Sequence, residues 1–492
     1  MGSEDRGIVI VGGGFAGIGM AIRLQRRGIE DFVLLERARS VGGTWTYNTY
    51  PECRCDIPSH LYSFSFAPNP EWTQTYSSQP EIQRYLERCV ERFGIASRVR
   101  TGVTLESAAW DEASGRWEIE TSAGPLSAAV LVSAMGPLTE PKYPQVPGIE
   151  SFRGKLMHSA RWDDDYDLAG KRIASVGSGA SAIQYVPAIQ PEVEELVVFQ
   201  RSAPWVLPHG NRPISDRERR VFRRLPIVQR AIRLGVYLSR EILVVGLAKE
   251  RRLMRVVKRA ALAHIEKSIE DPELRRKVTP TYAIGCNRMV PSNRWYRALA
   301  QPNVKLVGAL AEVREGSVVD ADGIEHEVDA IVFGTGFHVA DPPIGDRLRG
   351  RGGRLMSEVW DGRPRAYMGT SVPDFPNLFL LLGPNTGLGH SSMVFMIEAQ
   401  IEHVLAALTA MEARGVRTIE VDERAYEGWN AEIDRRLAKT VWATGCPSFY
   451  IDASGRNAVL WPDWTWRFRR RAARLDPAAY RLATPTPEAV AA

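Results

Sequence analysis

Apolar residues near the amino terminus follow two successive patterns, first that of a strand and then that of a helix. Ile8-Val9-Ile10-Val11 is a short β-branched run, and Ile18 to Arg27 is an amphipathic stretch that ends at Gly28. A second apolar run, Phe32-Val33-Leu34-Leu35, closes on Glu36. This order predicts a βαβ unit, in which a helix connects two parallel strands.

Three glycines lie where the first strand meets the helix. Gly12, Gly14 and Gly17 have the spacing GxGxxG. In such a loop the first glycine permits a tight turn, the second lets the backbone approach a pyrophosphate, and the third allows close helix-to-strand packing. The helix amino terminus adds N–H donors, and Glu36, which follows Gly12 by 24 residues (36 − 12), can accept from ribose hydroxyls. The sequence therefore predicts a dinucleotide site here.

A second glycine-rich loop follows residues 171–176 and differs in its binding preference. Its sequence is GSGASA, so alanine replaces the third glycine, and the next strand ends at an arginine instead of an acid. A carboxylate would repel a ribose 2′-phosphate, whereas a guanidinium can bind it bidentately. This loop is predicted to prefer NADP over NAD, unless the arginine is an ordinary surface residue. The predicted contacts are Gly177, Gly179, Ser181, Arg201 and Ser202.

Length and composition limit the class of protein. A chain of 492 residues suits two or three domains, and 44% hydrophobic with 25% charged residues is typical of a soluble globular protein. No run of eighteen or more apolar residues occurs, so we expect no integral membrane segment. The first strand begins too early for a secretory signal to precede it, which predicts a cytoplasmic protein.

The cysteines point in the same direction. Their number, five, is odd, which argues against a disulfide framework and fits a reducing compartment. Cys53 and Cys55 have the wrong spacing for a redox or zinc motif, and we interpret both as packing residues. The sequence also lacks the CxxxxC pair of the disulfide-reducing flavoenzymes, which removes that class.

Positive charge is concentrated in one segment. Residues 211–280 carry 19 Lys and Arg against 8 Asp and Glu, whereas the net charge of the whole chain is only +5. Apolar residues recur there at helical spacing, which predicts a helical insert. A basic amphipathic face could attract membrane lipid, nucleic acid or the phosphates of NADPH, or it could be a solvated surface. We do not predict a nucleic-acid partner.

Four separated segments share one family pattern. They are the Gly12 loop, Gly43-Thr44-Trp45 through Arg54-Cys55-Asp56, Phe152 to Asp163, and Gly285-Cys286-Asn287-Arg288. Taken in order, they resemble the type I Baeyer-Villiger monooxygenases, and the segment from Phe152 to Asp163 matches the fingerprint FxGxxxHxxxW(P/D) of that family. The resemblance covers nearly the whole chain.

The resemblance implies an α/β fold with two Rossmann-like dinucleotide-binding domains, for FAD and NADP, and a helical insert. In such proteins the amino-terminal loop binds FAD and an inserted domain binds NADPH. The implied boundaries are 1–145 and 340–492 for the FAD domain, 155–210 and 283–339 for the NADPH domain, 211–282 for the helical insert and 146–165 for an interdomain linker.

The resemblance also implies an activity. Members of the family use NADPH, FAD and O2 to insert one oxygen atom beside a ketone carbonyl, through a flavin C4a-peroxide, and produce an ester or lactone. Arg288 matches the catalytic arginine of the family, and Asp56 matches the carboxylate that pairs with it near the cofactor. Gly43, Thr44 and Trp45 match the turn that lies over the flavin.

Other residues receive positioning roles from the same resemblance. The fingerprint residues are expected to couple movement of the two domains, and they are Phe152, Gly154, His158, Trp162 and Asp163. Trp442, Phe449 and Met393 suggest a pocket for a hydrophobic ketone, although they could equally be core residues. No metal site is predicted. Two departures from the family pattern are Asn287, where lysine is frequent, and Glu52, where glycine is common.

Two other activities stay open on the sequence alone. A related flavin monooxygenase could oxygenate nitrogen or sulfur, and such an enzyme would not need a cationic pair like Arg288 and Asp56. A third class comprises uncoupled NADPH oxidases and flavoproteins without catalytic activity.

Overall fold

A computed structural model of the protein describes residues 3–483. The first part of the chain contains strands β1 (Glu4–Val11), β2 (Phe32–Glu36), β3 (Val99–Thr101), β4 (Leu105–Asp111), β5 (Arg116–Thr121) and β6 (Leu126–Ser133), and helices α1 (Phe15–Arg26), α2 (Thr44–Tyr47) and α3 (Gln79–Arg92). Helix α1 connects two parallel strands, as predicted. It begins at Phe15, earlier than the predicted Ile18, because the last residues of the glycine loop already belong to its first turn.

The middle part contains a second set of strands and the helices inserted among them. Its strands are β7 (Lys155–His158), β8 (Arg172–Val176), β9 (Glu195–Phe199), β10 (Val206–Leu207), β11 (Val290–Pro291), β12 (Val304–Val307), β13 (Leu310–Val313), β14 (Ser317–Asp320), β15 (Glu325–Glu327) and β16 (Ala330–Phe333). Its helices are α4 (Ala180–Ile189), α5 (Asp216–Arg224), α6 (Pro226–Val244), α7 (Met254–Ser268), α8 (Pro272–Val278) and α9 (Trp295–Leu299).

The last part returns to the first sheet and adds a helical layer. It consists of β17 (Leu348–Arg349), α10 (Met356–Trp360), β18 (Leu378–Leu380), α11 (Met393–Arg414), β19 (Thr418–Val421), α12 (Glu423–Leu437), α13 (Thr465–Ala472) and β20 (Tyr480–Ala483). Strand β18 pairs in parallel with β6, and β17 pairs with β4. Strands from both ends of the chain therefore build one sheet.

The two main sheets differ in composition. The first has eight strands in the order β17-β4-β5-β6-β1-β2-β3, with β18 beside β6. The second has the order β12-β9-β8-β16-β7, and all its neighbours are parallel. Parallel strands of this kind are buried between helices, and Ile173, Leu196 and Ile331 are completely buried. The predicted α/β class with Rossmann-like sheets is confirmed.

The predicted linker, 146–165, overlaps the predicted NADPH domain from residue 155 onward. Residues 155–158 form β7, which pairs in parallel with β16 from Ala330 to Phe333 at the edge of the second sheet. Met157 and His158 are buried on that edge, so pairing with β16 orders the fingerprint as a strand. Its first half is therefore an integral part of the second sheet.

The segment 211–282 folds as four helices, α5 to α8. Ser215 begins α5 with a capping box, in which its hydroxyl accepts from the Glu218 N–H and the Glu218 carboxylate accepts from the Ser215 N–H. Beyond α6, Leu247 and Met254 share an apolar cluster with Trp461 from the last part of the chain. The insert is thus packed against the helical layer that follows the first sheet.

Among residues 3–483, one helix is long and apolar enough to cross a membrane by its length and composition. This helix is α11, and 61% of its most apolar 18-residue stretch is buried inside the protein. Its buried residues include Val394, Ile401 and Val404, which pack in the main core. This burial is typical of a core helix.

Candidate active site

The first glycine loop lies at the carboxyl end of β1. Gly12 has φ of +110°, a conformation that L side chains rarely adopt, and its N–H donates to the Leu35 carbonyl over 2.8 Å. A β-carbon on Gly17 would lie 1.9 Å from the Gly12 carbonyl oxygen. Glycine is therefore required at position 17 for α1 to pack so closely against the loop.

Glu36 and the Gly43 turn enclose this loop. The Glu36 carboxylate is buried and accepts from the Gly13 N–H over 2.6 Å and from the Ala38 N–H over 2.8 Å. The Gly42 N–H donates to the Gly13 carbonyl, and a β-carbon on Gly43 would lie 2.9 Å from the Gly14 Cα. The predicted segment Gly43-Thr44-Trp45 therefore starts α2 directly against the glycine loop.

The second glycine loop repeats this arrangement in the second sheet. The Gly177 N–H donates to the Phe199 carbonyl over 3.0 Å, and Gly179 precedes α4. The Ser178 hydroxyl donates to the Ser202 carbonyl over 3.1 Å, which places the end of β9 beside the loop. Arg201 is exposed next to it.

The amino termini of α1 and α4 fit the phosphates of a dinucleotide. Within the described chain, neither helix has a side-chain hydrogen bond at its N-cap, which is Gly14 in α1 and Gly179 in α4. The N–H groups of the first turn are therefore free to bind an anion. A β-carbon on Gly179 would meet no atom within 4 Å, so open space lies in front of that turn.

Arg288 and Asp56, predicted as a pair, are in direct contact. Arg288 Nε donates to Asp56 Oδ2 over 2.8 Å, and Nη2 donates to Oδ1 over 2.7 Å, which is a bidentate ion pair. The Asp56 carboxylate raises the pKa of Arg288 further above its ordinary value. Arg288 Nη1 donates to the Leu388 carbonyl over 3.3 Å. A permanently charged guanidinium is thus held in one orientation.

Tyr450 lies beside this ion pair, and the sequence did not reveal it. Its side chain is buried, and burial raises the pKa of its hydroxyl to about 12, against the opposing effect of the Arg288 charge. The same apolar cluster contains Leu388 and Trp442. The charged pair is therefore bordered on one side by an apolar wall with a neutral phenol.

Cys286 and Cys446 form a disulfide, so the expectation that an odd number of cysteines argues against disulfides was wrong. The fold brings their Cα atoms to 6.3 Å, within bonding range, although 160 residues separate them in sequence. Next to this bond, Asn287 Nδ2 donates to the Pro447 carbonyl over 2.7 Å. These links fix the Arg288 segment to the segment that carries Tyr450. Cys53 and Cys55 are free and buried, as expected of packing residues.

Reduction of this disulfide should destabilise the protein. Opening a loop of this size is expected to lower the free energy of unfolding by about 2 to 5 kcal/mol, because the unfolded chain gains conformational freedom. Urea unfolding with and without dithiothreitol measures the difference. A Cys286→Ser variant serves as the control, since its stability should not respond to dithiothreitol, and an equal response in both proteins would contradict the assignment.

Comparison with known proteins places the chain in a family. It is 49% identical over 489 residues to a Baeyer-Villiger monooxygenase of Streptomyces coelicolor, covering 99% of this chain and 94% of the relative. It is 48% identical over 481 residues to a Baeyer-Villiger monooxygenase of Pseudomonas aeruginosa, covering 97% and 91%. The chain belongs to the Baeyer-Villiger monooxygenase family. The predicted resemblance is confirmed.

Solved structures agree with this family assignment. A closed crystal structure of cyclohexanone monooxygenase superimposes with a TM-score of 0.86 at 28% identity, covering 98% of this chain and all of that chain (100%). The structure of OTEMO in complex with FAD and NADP gives a TM-score of 0.87 at 25% identity and covers 98% and 100%. A family model described as pyridine nucleotide-disulphide oxidoreductase matches residues 9–210, which include both glycine loops.

The Baeyer-Villiger fingerprint packs its residues into the second sheet. Phe152 is buried in a cluster with Phe333, and a β-carbon on Gly154 would lie 2.4 Å from the Asp329 carbonyl oxygen. Asp163 forms an ion pair with Lys155. These contacts hold the two ends of the fingerprint close to β7 and β16.

His158 and Trp162, from the same fingerprint, face other elements. His158 is fully buried, with Nδ1 accepting from the Ala160 N–H over 3.1 Å and its ring 5.7 Å from the Phe337 ring. Its Nε2 has no hydrogen-bond partner within residues 3–483. The Trp162 ring lies 5.6 Å from the Tyr185 ring on α4, the helix behind the second glycine loop.

Buried histidines make the stability of this protein sensitive to acid. Burial lowers the pKa of His158 to about 4 and that of His403 to about 4, from an ordinary value of 6.5. The unfolded chain therefore binds protons between pH 6.5 and 4 that the folded chain does not, so stability falls as the pH falls through this window.

Replacing the imidazole of His403 should make the stability of the protein less sensitive to acid. Between pH 7 and pH 5, we expect the free energy of unfolding to fall by about 2 kcal/mol less in a His403→Gln variant than in the wild type, because glutamine does not titrate. Urea unfolding at both pH values measures the loss. An equal loss in the variant would show that His403 does not contribute.

Glu52 and Gln184 link the two sheets near the second loop. Glu52 has φ of +62°, which explains why glycine is common at this position, and its carboxylate pairs with Arg54 over 2.6 Å and Arg294 over 3.5 Å. Gln184 of α4 accepts from the Arg54 N–H over 3.1 Å and from the Tyr50 hydroxyl over 3.2 Å. No sequence motif indicated this role of Gln184.

The residues expected to line a ketone pocket occupy different environments. Trp442 is buried, and a β-carbon on Gly389 would lie 3.5 Å from its ring. Met393 is half-buried at the start of α11. Phe449 is 49% exposed, and its ring lies 4.3 Å from that of Tyr450. Trp442 thus shares an apolar cluster with Tyr450, and Phe449 contacts Tyr450 from the exposed side.

Proposed function

We propose that Arg288 and Asp56 form the catalytic centre of a FAD- and NADPH-dependent enzyme that inserts one oxygen atom from O2 beside a ketone carbonyl. FAD reduced by NADPH supplies the activated oxygen for this chemistry. The observation that carries the proposal is the bidentate contact between Arg288 and Asp56 at 2.8 and 2.7 Å. An exposed surface pair would not also be joined to the Leu388 carbonyl and bordered by Tyr450.

Arg288 stabilises negative charge on the oxygen of the ketone as its carbonyl carbon becomes tetrahedral. A guanidinium suits this task because it stays protonated and presents its donors in a fixed plane. Asp56 orients that plane and compensates the charge of Arg288 when no substrate is bound. The apolar wall with Tyr450 and Trp442 excludes water, which strengthens the electrostatic interaction.

Two loops hold the cofactors in this proposal. The loop N–H groups at the amino terminus of α1 would hold the pyrophosphate of FAD, and Glu36 would accept from its ribose hydroxyls. The FAD contacts are Gly12, Gly14, Gly17, Glu36, Gly43, Thr44, Trp45 and Asp56, and the NADPH contacts are Gly177, Gly179, Ser181, Arg201 and Ser202. We assign coupling of the two domains to Phe152, Gly154, His158, Trp162 and Asp163, because β7 pairs with β16 of the second sheet and Trp162 packs on α4, the helix that follows the NADPH loop.

Arg201 should determine the preference for NADPH over NADH. Replacing it by alanine removes a charged contact to the 2′-phosphate, so kcat/KM for NADPH is expected to fall about tenfold to a hundredfold. NADH lacks that phosphate, and its kcat/KM should not change. Steady-state kinetics with both reductants, and with Arg153→Ala as an exposed control, measure the effect. An unchanged ratio in Arg201→Ala would contradict the assignment.

The substrate class follows from the walls of the site. Trp442 and Met393 belong to the apolar cluster that contains Tyr450, and Phe449 contacts Tyr450, which favours a hydrophobic ketone. Incubation with NADPH, O2 and panels of ketones and sulfides, followed by mass spectrometry, tests this. We expect esters or lactones as the main products. Sulfoxides without esters would favour the alternative enzyme class, and NADPH consumption matched by released hydrogen peroxide would favour an oxidase.

A further inference from the structure

Helix α6 presents an apolar stripe to solvent. Its exposed positions include Ile227, Leu234, Leu238 and Ile242, with exposed fractions of 68%, 56%, 53% and 65%. Together with exposed Ala231 these positions recur every three or four residues. They lie within an arc of about 80° on the helix and extend for about 22 Å along it. A regular stripe of this size differs from the scattered apolar residues of an ordinary protein surface.

The opposite face of α6 is fixed to the rest of the protein. Gln229 Nε2 donates to the Asn69 carbonyl over 2.6 Å, and Arg233 Nη1 donates to the His60 carbonyl over 2.8 Å. Two turns later, at the edge of the stripe, the buried Glu241 carboxylate accepts from the Thr465 hydroxyl over 2.7 Å. Because these contacts orient the helix along its whole length, the stripe is held outward.

Other exposed apolar side chains occur close to α6. Leu253 and Val256 are exposed in the segment that follows the helix, with fractions of 51% and 69%. Trp466 is also exposed, and it follows Thr465, whose hydroxyl lies 3.1 Å from the hydroxyl of Tyr237 on α6. A tryptophan with one solvated edge is a frequent side chain at the boundary between lipid and water.

The surrounding charge is almost entirely positive. Residues 219–260 contain 13 Lys and Arg but only two acids, Glu241 and Glu250. Glu241 is buried, which leaves Glu250 as the exposed acid of this segment. The exposed cations include Arg224 at the end of α5, Arg230 on α6, and Arg251, Arg252 and Arg255 beyond the end of α6, while the exposed Arg223 pairs with Glu71.

We propose that the exposed face of α6 docks on the surface of a bilayer that contains anionic phospholipids, with its apolar stripe among the acyl chains and the arginines on the headgroups. An apolar stripe within a cationic surface is the complement of such a bilayer. A second copy of the chain fits less well, since a two-fold contact would bring the same arginines together. Nucleic acid would use the charge but not the stripe.

Vesicle co-sedimentation of the FAD-loaded enzyme tests the proposal. Vesicles of phosphatidylcholine with phosphatidylglycerol should sediment the protein at low salt, and pure phosphatidylcholine should sediment far less. Replacing Arg251, Arg252 and Arg255 together by glutamine should weaken partitioning on the order of a hundredfold, as expected for three basic residues near an anionic surface. Equal binding to both vesicle types, or none to either, would overturn the proposal.

A separate variant tests the contribution of the apolar stripe on α6. A double variant, Leu234→Asn with Leu238→Asn, should reduce partitioning at least tenfold while its flavin absorbance and NADPH oxidation stay at wild-type values. Ile324→Asn, at an exposed apolar residue far from α6 in sequence, should bind as the wild type does. An equal loss in Ile324→Asn, or a dimer in analytical ultracentrifugation that the double variant abolishes, would overturn the proposal.

Discussion

Replacing Arg288 by alanine is expected to lower the rate of ester formation by about a hundredfold to a thousandfold, while NADPH oxidation continues. The loss arises because no fixed donor then stabilises charge on the ketone oxygen. The variant also leaves the Asp56 carboxylate without its bidentate partner, so the two remaining oxygens repel the developing charge. Ester yield per NADPH consumed, measured by gas chromatography and by absorbance, separates oxygenation from flavin reduction.

Two further variants show whether orientation or charge matters. Arg288→Lys keeps the charge but loses the planar fork, so we expect it to recover only part of the ester yield. Arg297→Ala removes an exposed arginine from α9 and should behave as the wild type does. Full activity in Arg288→Ala, or an equal loss in Arg297→Ala, would remove Arg288 from the catalytic centre.

Replacing Gly17 by alanine is expected to abolish FAD binding. The added β-carbon would lie 1.9 Å from the Gly12 carbonyl oxygen, so α1 must move away from the loop that is proposed to hold the pyrophosphate. The purified variant should lack flavin absorbance. The control is Gly428→Ala in α12, where a β-carbon meets nothing within 4 Å and alanine should stabilise the helix by about 0.5 to 1 kcal/mol. Normal flavin content in Gly17→Ala would show that the loop tolerates the shift.

The glycine loops could be predicted from sequence because each loop and its flanking strands are continuous in the chain. Gly12 and Gly177 lie next to the strands that position them, so the glycine spacing and the flanking apolar runs were sufficient to predict both loops. The pairing of Arg288 with Asp56 bridges 232 residues, and only resemblance to a family could suggest it. The Cys286–Cys446 bond bridges 160 residues, and the cysteine count pointed away from it.

The fingerprint shows a different limit of sequence reasoning. Its residues predicted the family correctly, but they did not predict that Lys155 to His158, where the expected linker and NADPH domain overlap, form an edge strand. Four residues do not reveal a strand when the pairing partner, β16, lies far along the chain. The same holds for α6, whose helical pattern is readable, whereas its exposed side depends on contacts such as that of Arg233 with His60.

The most direct test of the central claim uses isotopically labelled dioxygen. The FAD-loaded enzyme is incubated with NADPH, a hydrophobic ketone and oxygen-18 gas, and the product is analysed by mass spectrometry. We expect the wild type to form an ester or lactone that contains one heavy oxygen atom in the ring or ester linkage, and Arg288→Ala to form much less of it. Unchanged ketone, with one hydrogen peroxide formed from O2 for each NADPH that the wild type oxidises, would contradict it.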